Sequence, residues 1–143
     1  MTQQPFTIER TFNAPVEKVW ETITNKDHMK HWYFELPEFR AEVGFKFRFT
    51  GGKDPERPYI HLCEVTEVIP NKKLTHSWRY DGYPGNSFVT FELFKEGERT
   101  RLKLTHAGLE TFAVANNPDF DPKNFEMGWT AIIGTNLQQY LED

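Results

Sequence analysis

Five histidines and a single cysteine are the side chains of this sequence that titrate or attack near neutral pH. His28 and His31 stand three apart on a predicted short helix, so two imidazoles share one face, the beginning of a metal site. Zinc takes three or four protein ligands, and no third ligand follows at matching spacing. The pair is therefore read as surface histidines, and no metal is expected. His61 and Cys63 alternate along a predicted strand and point to one face of a sheet. Beside a carboxylate they could form a cysteine nucleophile with its base, but nothing around them resembles a nucleophile elbow or a local cysteine signature. A buried thiol and a hydrogen-bonded imidazole are the preferred reading.

Two more strands carry the remaining histidines. Leu74, His76, Trp78 and Tyr80 fall on one face, as do Leu102, Leu104 and His106. Either these faces pack as a core with satisfied histidines, or they wall an apolar cavity whose polar points are His76, Tyr80 or His106. Glu64, Glu67 and Glu92 alternate with apolar residues and should face solvent, whereas a catalytic pair needs two carboxyls held together with divergent pKa values. Gly51-Gly52-Lys53 lacks the spacing of a phosphate-binding loop. No catalytic set and no cofactor follow from these residues.

The elements that must position them read as α+β. Asp121 and Pro122 form a helix start, with Asp as cap and Pro in the first turn. Phe125, Trp129, Ile132, Ile133, Asn136, Leu137, Tyr140 and Leu141 then recur at helical spacing. Such a helix of about 20 residues is roughly 30 Å long, enough to cross a small sheet. Phe6 to Phe12 alternates as a first strand. Asn13 is the expected cap of a helix carrying Val16, Val19, Trp20 and Ile23, and a second short helix is expected from His28 to Trp32. Strands are expected at 39–43 and 45–49 about a turn at Gly44, then at 59–69, 73–80, 88–95 and 99–106. Gly51 to Pro55, Asp81 to Asn86 and Asn116 to Pro122 are loops by composition. The expected architecture is an antiparallel sheet of about six or seven strands against the long C-terminal helix. Two short helices follow the first strand, all within a single domain spanning 1–143.

Composition bounds the partners. The 143 residues include 13 Phe, 5 Tyr and 4 Trp, an aromatic share of 15%, which fills a core or lines a cavity with large flat groups. A net charge of −4 with no basic stripe argues against nucleic acid. One cysteine forms no internal disulfide and fits a reducing compartment. Neither a signal-peptide pattern nor a membrane-length apolar run is visible, so a cytoplasmic protein is expected, without membrane insertion.

The succession of elements, together with certain segments, resembles the START-like helix-grip superfamily, and more closely the bacterial homologues of the heat-shock-protein-90 ATPase activator C-terminal domain. The segments are Ala14-Pro15-Val16-Glu17-Lys18-Val19-Trp20, Trp32, the run Glu64 to Leu74 into Trp78, Thr90-Phe91-Glu92-Leu93, Leu102 to His106, and Gly128-Trp129. The resemblance runs from about Phe6 to Leu141 and implies a cavity between sheet and long helix. Trp32-Tyr33 stands where paired tryptophans are common, and the Asn116–Asp121 loop is longer than usual; both reshape the mouth of such a cavity. Three functions follow as expectations. The first is binding of a small hydrophobic molecule, a lipid, polyketide or flavonoid-like compound, without catalysis. It would be lined by Trp32, Phe47, Phe49, His61, Cys63, His76, Trp78, Phe91, Trp129 and Ile133. The second is a chaperone-linked stress-response interaction module, and the third an enzyme of the polyketide cyclase or aromatase type.

Overall fold

The computed structural model describes residues 5–33, 36, 38–51, 56, 58–115 and 120–142. Strand β1 (Phe6–Phe12) is followed by helices α1 (Val16–Thr24) and α2 (Lys26–Trp32). Strands β2 (Lys46–Gly51), β3 (Tyr59–Ile69), β4 (Lys73–Tyr80), β5 (Ser87–Glu96) and β6 (Arg99–Ala107) come next. A 3-10 helix (Leu109–Ala115) leads towards the C-terminal helix, which is α-helical over α3 (Pro122–Ala131), π-helical over Ile132–Leu137 and α-helical again over α4 (Gln138–Glu142). The strands form one antiparallel sheet of six in the order β1-β6-β5-β4-β3-β2, the α+β helix-grip arrangement. No helix among the described residues is long and apolar enough to cross a membrane.

Local chemistry accounts for most boundaries. Asn25 ends α1 and caps α2, its side chain accepting from the Asp27 amide at 2.8 Å. The second helix therefore starts two residues before His28. Asp121 caps α3 as expected, accepting from the Lys123 amide at 2.9 Å, with Pro122 in the first turn. The expectation for Asn13 is corrected: the N-cap of α1 is Pro15, without a side-chain bond. The corner after β1 is instead tied down by Thr100 Oγ1, which donates to the Ala14 carbonyl at 2.8 Å.

Two further expectations change. Residues 39–43 form no strand; Phe39 is buried edge-on against Phe45 and Phe47, while Val43 is 67% exposed at the turn that Gly44 closes. Alternation there reflects one buried ring and a turn, not a two-sided sheet. Asn136 is exposed, so the buried helix stripe is Phe125, Trp129, Ile133, Leu137 and Leu141. The β3–β4 register shifts by a bulge between Val65 and Glu67. Being beyond Cys63, it leaves the facing of His61 and Cys63 intact. Positions 52–55 and 116–119, which carry most of two expected loops and the proposed lengthening of the second, lie outside the described residues.

Candidate functional site: the aromatic layer between sheet and helix

Alternation along β2 to β5 turns Phe47, Phe49, His61, Cys63, His76, Trp78, Tyr80 and Phe91 towards the C-terminal helix, and all eight are buried. Register aligns them: Phe47 opposes Cys63, Phe49 opposes His61, and His61 opposes Tyr80. From the other side come Trp32, Trp129 and Ile133, each at most 2% exposed. Phe49 stacks on His61 at 4.4 Å between ring centroids, and Trp78 meets His61 edge-on at 5.0 Å and Trp129 at 5.6 Å. Phe47 meets His76 edge-on at 5.1 Å, while Phe91 touches both Trp32 and Trp129. Cys63 and Ile133 complete the layer as buried side chains without rings.

Three contributors escaped the sequence reading. Tyr33, at the end of α2, stacks on Trp32 at 5.1 Å and on Trp129 at 5.9 Å, with its hydroxyl buried. Its signal was the Trp32-Tyr33 pair itself. Phe120 stacks on Tyr80 at 4.6 Å and closes one end of the layer with Tyr59, Tyr83 and Phe112. Ser87, at the start of β5 and in register with Trp78, is fully buried.

Ser87 explains His106. Trp129 can only donate, so its Nε1–H at 2.9 Å makes His106 Nδ1 the bare acceptor nitrogen. Nε2 then carries the proton and donates to Ser87 Oγ at 2.8 Å, and Ser87 donates on to the Trp78 carbonyl at 2.7 Å. This chain fastens the C-terminal helix to three strands, and His106 acts as a satisfied core histidine. His76 similarly uses Nδ1–H on the Ser77 carbonyl at 2.8 Å.

Burial holds every titratable group of the layer neutral. It lowers His61 and His76 to about 4, the backbone carbonyls of Phe49 and Tyr59 opposing part of the shift at His61 and that of Ser77 at His76. His106 falls to about 3, through burial and then the neighbouring His76. Burial pushes the Cys63 thiol and the Tyr33 and Tyr80 phenols upward. At neutral pH the layer thus offers no thiolate, and among the described residues no Asp, Glu, Lys or Arg is buried within it. Among the described residues the Trp78 indole is the polar group of the layer with the poorest pairing. The Trp78 indole N–H reaches no acceptor of hydrogen-bonding geometry, although it lies near enough to Tyr80 to temper the rise of that phenol.

The two remaining histidines sit elsewhere. His28 Nδ1 bonds the Tyr140 hydroxyl and His31 stacks on the same ring at 5.2 Å, so they fasten α2 to α4. Among the described residues no group of three or more His, Cys, Asp or Glu could hold a metal ion.

With this geometry in hand, comparison with known proteins gives a family. The model for Activator of Hsp90 ATPase homolog 1-like protein matches residues 13–142. The chain belongs to this family. Among solved structures, the chain is similar to protein MLL2253 from Mesorhizobium loti at 26% identity. Each chain is covered to 97%, with a TM-score of 0.79. It is also similar to protein BH1534 from Bacillus halodurans at 27% identity, covering 99% of each chain with a TM-score of 0.71. DynU16, a protein of the dynemicin biosynthetic locus, matches at 23% identity and a TM-score of 0.78. There the chain is covered to 98% but spans only 48% of DynU16, a likeness of fold. No curated protein matches.

Proposed function

We propose that this protein binds one small, uncharged hydrophobic or aromatic molecule, of lipid, polyketide or flavonoid type, between the sheet and the C-terminal helix. Trp32, Phe49, His61, Trp78, Phe91 and Trp129 would contact it most closely, with Phe47, Cys63, His76 and Ile133 around them. The observation that carries the reading is the buried Trp78 N–H without a well-formed acceptor, in a layer otherwise made of rings and neutral groups. The Tyr80 phenol is its near neighbour, native proteins normally pair buried donors well, and a carbonyl or hydroxyl oxygen of a ligand would give it better geometry. Among the described residues no cation faces the layer, which favours an uncharged ligand, because an unpaired carboxylate taken out of water costs several kcal/mol. The buried Cys63 thiol fits a reducing, cytoplasmic setting.

NMR titration tests this directly, with neutral flavanones, sterols and a long-chain fatty acid added to labelled protein. Neutral compounds should give saturable shifts at the Trp32, Trp78 and Trp129 indoles, and Trp78→Phe should weaken binding about tenfold, as for loss of one buried hydrogen bond. Indoles unmoved by the whole panel, or moved equally by a fatty-acid anion, would refute the reading. A chaperone-linked role rests on the matched family's name alone; failure to stimulate a purified heat-shock-protein-90 ATPase would remove it. Nothing in the layer favours an enzyme that needs a thiolate or a paired carboxylate.

A further inference from the structure

The opposite face of the same sheet has a different chemistry. A groove of about 570 Å³ opens there over β2, β3 and β4. Its central row is Arg48, Leu62 and Arg79, which register pairing sets side by side across three strands. Strands lie about 4.8 Å apart, so the two arginines start about 10 Å apart with Leu62 between them. Both are exposed, while Leu62 is half-buried as an apolar floor. Among the described residues neither guanidinium makes an ion pair or hydrogen bond. In the next row Lys46 faces Glu64, opposite charges that offset one another. Ser77 Oγ accepts from the Glu64 amide at 2.9 Å, which leaves its own hydroxyl hydrogen to donate into the groove.

We propose that this groove is a second binding site, for a small organic dicarboxylate with an apolar body. Planar guanidinium forks match carboxylate oxygens and also lie flat against aromatic or aliphatic surface. A molecule resting on Leu62 with an acid group at each end meets both arginines at once. Glu38 also lines the groove but is paired with Arg40 at 3.0 Å, so Arg48 and Arg79, on a chain whose net charge is −4, are the charges left to mark the groove out for an anion. The inner layer suits a neutral molecule and this face a charged one, so the two sites do not compete for ligands.

Titration of labelled protein with terephthalate, with benzoate as the single-acid control, decides it. Terephthalate should give saturable, salt-sensitive shifts of the Arg48, Leu62, Ser77 and Arg79 amides, with benzoate about tenfold weaker. Arg48→Gln and Arg79→Gln should each weaken terephthalate about tenfold without altering thermal unfolding, since both side chains are exposed. Equal binding of the two acids, binding that survives the double Arg48→Gln/Arg79→Gln variant, or shifts confined to the tryptophan indoles would each overturn the proposal.

Discussion

Acid should unfold this protein well above the pH at which carboxylates are neutralised, because of three buried histidines. Above about pH 6.5, His61, His76 and His106 are neutral in folded and unfolded chains alike and add no pH dependence. Below that, the unfolded chain takes up a proton at each, while burial keeps the folded forms neutral until about 4 for His61 and His76 and about 3 for His106. The unfolded state then binds more protons, so stability falls as pH falls through this window and levels off below it. At about pH 5, some 1.5 units below the unfolded value at about 1.4 kcal/mol per unit, each histidine costs about 2 kcal/mol and the three about 6. That is comparable with the whole stability of a typical domain, about 5–15 kcal/mol. Urea unfolding followed by tryptophan fluorescence from about pH 7.5 to about pH 5 should show a slope approaching about 4 kcal/mol per pH unit at the acid end. His76→Leu should reduce that slope by about one third, as removal of one titrating group requires. A stability that stays flat over this range, or a slope unchanged in His76→Leu, would refute the reasoning.

Trp129→Phe removes the donor to His106 Nδ1 and should cost about 2 kcal/mol in the same assay, the penalty of a buried acceptor left unpaired. Gly85→Ala should lower the melting temperature markedly: φ is +108° there, and a Cβ would stand 2.6 Å from Phe112 Cδ1 and 2.8 Å from the Thr111 carbonyl oxygen. Strain of that kind costs on the order of 1–3 kcal/mol. Cys63, buried and held as a thiol, should react with an aromatic disulfide reagent at least about 100-fold more slowly in the folded protein than in urea. Comparable rates in both states would show an accessible thiol.

Much of the fold could be read from periodicity because periodicity is what two-sided burial leaves behind. The bounds of β3 and β4 emerge from alternation closed off by Pro70-Asn71-Lys72, where Asn71 takes the left-handed φ of 63° that the turn requires. Phe47, Phe49, His61, Cys63, His76, Trp78 and Phe91 are buried on one sheet face because strand faces are set by parity and parity holds up to the bulge. Residues whose meaning depends on a distant partner were not legible. Ser87 looks like a strand-end serine until His106, 19 positions away, is brought to 2.8 Å. Phe120 stacks on Tyr80, a partner so distant in sequence that no local pattern announces the contact. Residues 39–43 misled for the opposite reason, an alternating pattern without a neighbouring strand to make it a sheet.

The C-terminal helix shows how a small departure from regularity serves the site. Its buried stripe, Phe125, Trp129, Ile133, Leu137 and Leu141, recurs strictly every four residues. An α-helix advances about 100° per residue, so each step of four overshoots by about 40°, and four steps would turn Leu141 about 160° away from Phe125. A straight α-helix therefore could not bury both ends of this stripe on one sheet. The π-helical stretch Ile132–Leu137 winds more slowly, through wider i→i+5 turns, and returns the stripe to the sheet. Gly134 lies within it, where an added Cβ would make ordinary van der Waals contact with the Arg10 guanidinium at 3.4 Å. With its lower half brought back in this way, the helix can bury Leu137 and Leu141 and still hold Trp129 over Trp78 and in hydrogen-bonding contact with His106. The four-residue spacing in the sequence and the widened turn in the structure are one feature, and the aromatic layer depends on both.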